Sequence, residues 1–151
     1  MSFKALDFAY HLIAYDRFHY NSKMPINYIK LQALMYYVQV EHIMQFGEVC
    51  FEDDIYVDTN INAPYIEEIW REFGRNIYSP IQVLGERYDV PEQYKDLESF
   101  VWMLLSKTSG YDGSELYAAI RASKEFKEAQ VKSHDRILLS VDRLKTLLYK
   151  Q

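Results

Sequence analysis

The chain has 151 residues, 49% of them hydrophobic and 16% aromatic, and a formal charge of −5. That length suits one domain with a proper core, and the acidic balance argues against a face built for phosphates, so direct nucleic-acid binding is not expected. A single cysteine, Cys50, excludes an intrachain disulfide. No apolar run approaches the roughly 18 residues of a membrane span, the Met1–Asp7 start lacks a signal-peptide layout, and a cytoplasmic chain is expected.

In chain order, the first predicted helix covers about 3–18, with Leu6, Ala9, Tyr10 and Ile13 at three- and four-residue spacing. It ends in the polar turn His19-Tyr20-Asn21-Ser22. The second helix follows Pro25, with Asn27 as its N-cap and Gly47 as its stop. Ile29, Ala33, Tyr36, Val40, Ile43 and Met44 form one apolar stripe. Leu31, Met35, Val38 and Phe46 form another, so this helix is expected to run through the middle of the domain. A short strand is predicted at Ile55–Val57, with a partner near Ile81–Leu84. Asn62-Ala63-Pro64 is read as a helix opening, since Pro suits a first turn. Ile66, Ile69, Trp70 and Phe73 then line one face up to Gly74. Further helices are predicted at about 91–106, at about 114–122 with Ser114 as cap, and at about 135–149. The economical reading of residues 1–151 is a single, mainly α, compact multi-helix domain with a buried central helix and at most a small two-stranded β-hairpin.

The residues that carry chemistry elsewhere do not assemble here along the chain. Asp58-Thr59-Asn60-Ile61-Asn62 begins like a calcium loop, but Ala63 stands where the sharp turn needs Gly, and Ile69 where a bidentate Glu belongs. A turn is the better reading. Glu52, Asp53 and Asp54 are adjacent, so they cannot all face one way, and a solvated loop is expected. His11, His19, His42 and His134 fit no zinc spacing; His42 reads as a hydrogen-bonded core histidine and Cys50 as a buried, inert thiol. The run Arg121–Lys132 mixes both signs of charge and reads as a solvated face. Phosphate-cradling glycines and a nucleophile elbow are absent. No catalytic residue, metal or cofactor is expected, and an enzyme survives only through a constellation assembled by the fold.

Leu31-Gln32-Ala33-Leu34-Met35-Tyr36-Tyr37-Val38-Gln39 resembles the Lys-Leu-Gln-Lys-Leu-Leu-Tyr-Tyr-x-Gln signature of the Panacea domain family, which includes phage-associated GepA-like proteins and SocA-like antitoxins. The similarity continues in order through Leu6–Ala14, Phe51–Val57, Tyr65–Gly74 and Ile137–Tyr149. The departures are Ala33 for the second lysine, Asn62-Ala63-Pro64 for Gly-Pro-Val, and Phe126 for a Trp. The resemblance implies a helical protein-binding module: an antitoxin that neutralises a toxin, or an adaptor that delivers one to a protease.

On that reading the candidate partner-contacting residues are Lys30, Gln32, Tyr37, Gln39 and Tyr56, with Asn62 and Pro64 shaping the neighbouring turn. Gln32 and Gln39 have an equally plain structural role, satisfying buried backbone groups between packed helices. The partner expected is a protein: a toxin, a protease, or, if the chain is a prophage accessory protein, a host defence or regulatory protein met by an acidic surface. Trp70 and Trp102 are expected as core anchors, or else as part of a homo-oligomer patch.

Overall fold

A computed structural model describes residues 2–129 and 136–149. The first helix, α1 (Ala5–Tyr15), widens into a π-helical turn over Asp16–Tyr20 and stops at Asn21, which takes the left-handed conformation at φ 61°. No side chain of its own start caps it. Instead Ala5 donates its N–H to Asp53 Oδ1 at 2.9 Å, and Phe3 donates to the Cys50 carbonyl at 2.8 Å in a parallel bridge to Phe51. Asp53 therefore leaves the solvated acidic loop expected of it and neutralises a helix end 48 residues away in sequence. Asp53→Ala should lower stability by about 1 kcal/mol in thermal or urea unfolding. A change of only a few tenths would mean that water caps α1 equally well.

Helix α2 (Tyr28–Phe46) begins as the sequence predicts. Asn27 caps it by accepting the Lys30 N–H at 2.9 Å, and Gly47 ends it at φ 73°, a conformation that favours glycine. It is buried on nearly every side up to Ile43. Only the last turn emerges, where Met44 and Phe46 are exposed. Thirteen buried residues on one helix account for its two apolar stripes: α1, α3, α4, α5, α7 and the sheet all pack around it.

Strand β1 (Ile55–Asp58) pairs antiparallel with β2 (Ala63–Tyr65), Val57 standing opposite Pro64, and on its other side with β3 (Arg136–Leu139), Val57 standing opposite Ile137. The hairpin expected from sequence is thus present, with a third strand added and the order β2-β1-β3. Its partner strand is not Ile81–Leu84, which lies in an irregular segment, because a four-residue turn closes the hairpin locally. In that turn Asp58 Oδ1 accepts the Asn60 N–H at 2.9 Å and Asn62 takes φ 51°. Asn62-Ala63-Pro64 accordingly opens no helix. Pro64 lies in an edge strand, where a missing N–H is tolerated, and α3 (Glu67–Phe73) starts after it.

A long irregular stretch then leads to a 3-10 turn (Glu92–Leu97) and α4 (Glu98–Thr108). Helix α5 (Gly113–Ala122) is capped by Asp112 rather than Ser114, in a reciprocal box with Glu115. Helix α6 (Lys124–Ala129) follows. The last predicted helix divides: Ile137 belongs to β3, and α7 (Val141–Tyr149) starts after Ser140, whose hydroxyl accepts the Arg143 N–H at 3.2 Å. Asp135 lies outside the described residues. One hydrophobic cluster extends from Ala5 to Leu144, so the described residues share a single core. Among them, no helix is long and apolar enough to cross a membrane.

Candidate functional site

The seven sequence-selected residues do not converge. Lys30, Gln32 and Gln39 are at most 1% exposed, which removes them from any surface a partner can touch. Lys30 Nζ donates to the Met24 carbonyl at 2.7 Å and, more weakly, to the Ser109 carbonyl at 3.5 Å, tying the loop before α2 to the α4–α5 junction. Burial lowers its pKa while Asp16 and Asp112 oppose that shift. Gln32 receives the Ile66 N–H at 2.8 Å and donates to the Ile66 carbonyl and the Tyr28 hydroxyl, both at 3.0 Å. Gln39 receives the Cys50 N–H at 2.9 Å and donates to the Phe51 carbonyl at 2.6 Å. Of the two roles left open for these glutamines, satisfying buried backbone is the one they perform.

Tyr37 is half-buried beside a cavity of about 530 Å³ between α2, α4 and α5, with the Leu116 carbonyl 3.5 Å from its hydroxyl. Tyr56 is half-buried with its ring 5.9 Å from Tyr65, and Pro64 is buried in β2. Asn62 shapes the hairpin turn, as expected of it.

The same hairpin forms one wall of a cleft of about 760 Å³. Tyr28 enters from α2, Asp58 and Tyr65 from the hairpin, Trp70 from α3, and Tyr117 and Arg121 from α5. The Tyr28 and Trp70 rings meet edge to face at 5.8 Å. Ile61, Trp70 and Tyr78 are 58%, 49% and 75% exposed, so the rim presents large apolar side chains to solvent. Neither Trp70 nor Trp102 is a core anchor: both are about half exposed, Trp102 lying against Tyr20 on α4. Burial raises the Tyr28 and Tyr117 phenols above their ordinary pKa. Gln32 hydrogen-bonds to the first and so opposes its rise; Arg121 opposes the second, whereas Asp58 reinforces both.

Sequence reasoning missed most of this cleft. Tyr117 lies on a helix with no distinguishing motif. Arg121 was grouped with a solvated charge run, yet its guanidinium reaches back 3.4 Å to the Ile61 carbonyl. The available signal was Trp70, a large aromatic on a seven-residue helix too short to bury it on two sides.

A second cavity, of about 690 Å³, lies between α1 and the irregular stretch. His11 is buried at its edge, stacked on Tyr94 at 4.0 Å, with Nδ1 2.7 Å from the Tyr88 hydroxyl and no partner at Nε2. Burial lowers its pKa to about 4, and His19 adds to the effect. The folded state thus prefers neutral His11. Between about pH 6.5 and pH 4 the unfolded chain binds a proton that the fold refuses, so stability is complete above this window and is lost as pH falls through it. Thermal unfolding should show a loss of about 3 kcal/mol across that range, and His11→Phe should flatten the slope. An unchanged slope would show that His11 takes up its proton without strain.

The hydrogen-bonded core role expected of His42 is met: Nδ1 donates to the Glu48 carbonyl at 2.7 Å. Cys50 is buried, and its thiol is pushed up to about 12, which keeps it unreactive. Set beside known proteins, this chain matches no family model, no curated protein and no solved structure.

Proposed function

We propose that this protein is a Panacea-like protein-binding module, an antitoxin or proteolytic adaptor that grips a partner protein through the cleft between the hairpin, α3 and α5. One observation carries the reading: Ile61, Trp70 and Tyr78 stand exposed around an aromatic-lined concavity. Large aromatics beside a pocket are the side chains that dominate binding energy at protein interfaces. The α2 signature supports the family assignment, and its role is consistent with this geometry. Gln32 and Gln39 hold the hairpin against α2, and the hairpin holds the cleft open on one side.

The test is affinity capture from a lysate of the protein's own host at two salt concentrations, read by mass spectrometry. Wild type and a Trp70→Ala/Tyr78→Ala double variant are compared. A stoichiometric toxin or protease captured by wild type and lost from the double variant is the expected result. Equal capture by both proteins would remove the cleft from the interaction. Capture of a host nuclease that weakens steeply with salt would favour inhibition of a defence protein through the acidic surface instead.

A further inference from the structure

Residues 75–90 cross the molecule as a strap without regular structure, between α3 and the 3-10 turn. Stretches of this kind inside a compact domain are often lids or binding loops. Among the described residues, four hydrogen bonds tie the strap to the rest of the chain. Ile81 donates its N–H to the Ile26 carbonyl at 2.9 Å, and the Asn27 amide donates to the Tyr78 carbonyl at 3.3 Å. The other two converge on Tyr88: His19 Nε2 donates to its carbonyl, and His11 Nδ1 meets its hydroxyl, both at 2.7 Å. Cavities of about 690 and 260 Å³ lie under the strap, each bordered by Ile13 of α1 and by Ile81, Gln82 and Val83. Packing beneath it is therefore thin, and Leu84 within it is 94% exposed.

His11 is the anchor that acid changes. It is 2% exposed, and its Nε2 has no partner. The bond to Tyr88 survives an added proton, but the ring becomes a cation whose Nε2–H meets neither water nor an acceptor. Little around it relieves that charge. Stacking on Tyr94 at 4.0 Å offers a ring face without an acceptor. Tyr15 and Tyr88 present neutral rings at 5.8 and 5.7 Å, and His19 repels a charge there. Asp7, the carboxylate on the same cavity wall, forms no ion pair with His11. The nearby charges on the strap and the 3-10 turn are exposed and paired among themselves, Arg87 with Asp89 and Lys95 with Glu92.

Relief requires water, and the strap is the least firmly held cover. Tyr94, on the ring's stacked face, is 4% exposed and packs edge to face on Phe8 at 5.7 Å, while α1 itself is core. We propose that residues 82–90 form a proton-released strap: a proton on His11 lifts them from α1, hydrating the imidazole and uncovering Ile13 and Ala14, while Ile26 and Asn27 keep hold of Ile81 and Tyr78. The device is independent of what the cleft binds. The lifted form takes up the proton that the closed form refuses, so its population rises about a hundredfold from pH 7 to pH 4. While it stays a minority, the acid loss of overall stability given above is unchanged.

Thiol labelling of the full chain tests this, because Cys50 is fully buried and reports global unfolding. Ile13→Cys places a second thiol under the strap; Ala14→Cys, on the same wall, takes its place if the first variant does not fold. The probe is 4,4′-dithiodipyridine, which reacts with thiols even in acid, and rates are taken relative to free cysteine at each pH. The introduced thiol should react faster than Cys50 throughout and speed up about a hundredfold from pH 7 to pH 4. Low urea should leave its rate alone, since lifting a strap exposes little surface, whereas Cys50 should respond steeply. His11→Phe should abolish the acid response of the introduced thiol. If the two thiols react together with one urea dependence, His11 gains its proton only on global unfolding and there is no strap release. A rate under the strap that ignores pH, or an acid response that survives His11→Phe, is equally fatal to the proposal.

Discussion

Gln39→Ala should unfold far more easily than wild type, by about 3–5 kcal/mol. The Gln39 amide is fully buried and closes a two-point clamp on Cys50 and Phe51, with the Phe51 N–H a more distant third contact at 3.4 Å. Alanine leaves a buried N–H and a buried carbonyl without partners and opens a void where the side chain stood. Each orphan alone is worth about 1–3 kcal/mol. Gln32 repeats the arrangement on Ile66. The two glutamines are seven residues apart, two turns or about 10.5 Å along one face of α2. One holds the chain as it enters the hairpin segment and the other as it leaves. Gln39→Met, which keeps the length but not the amide, separates the terms: it should recover the packing part and none of the hydrogen-bond part. Chemical denaturation of the three proteins checks this. Near-wild-type stability of Gln39→Ala, with lost partner capture, would return Gln39 to a contact role through some more open state.

The legible part of this fold was the part encoded over short distances. The Asn27 cap, the Gly47 stop and two interleaved apolar stripes specify α2 without help from elsewhere. The illegible part depends on chain segments meeting late. Ile137-Leu138-Leu139 continues a helical pattern, yet forms a strand because β1 offers an unpaired edge far back in the sequence. Pro64 is equally at home at a helix start and on an edge strand; only the hairpin turn at Asn62 decides. Asp53 reads as one of three loop acids until α1 brings Ala5 to it. The cleft is a still harder case, because its members come from five separate stretches, and no local pattern distinguishes Tyr28, Tyr117 or Arg121 from core or surface. Gln32 and Gln39 were visible as a polar pair on a buried helix. Their choice between structure and contact required knowing which backbone lay opposite.

Gly113→Ala should destabilise the protein by about 3 kcal/mol, although simple helix propensity predicts the reverse. Gly113 is the first residue of α5, and alanine there would ordinarily favour the helix by a few tenths to about 1 kcal/mol. Here a Cβ would stand 2.5 Å from Ile29 Cγ2, 2.7 Å from the Lys30 backbone nitrogen and 2.8 Å from the Ile29 carbonyl carbon. A methyl on Ile29 can swing aside; the backbone of the central helix cannot. Lys30 is itself fixed by Asn27 and by its amine bonds to the Met24 and Ser109 carbonyls, so α5 must be the element that moves. Overpacking of this kind costs about 1–3 kcal/mol, and two of the three overlaps being with backbone puts it at the upper end. Moving α5 also displaces Tyr117 and Arg121, so the Trp70 indole resonance should shift in the variant. Adding Ile29→Ala should restore only part of the loss, because it removes the side-chain overlap and leaves the two backbone ones. Full rescue by Ile29→Ala would show that the α2 and α5 backbones have room to spare, and that the contact between them is side-chain packing alone.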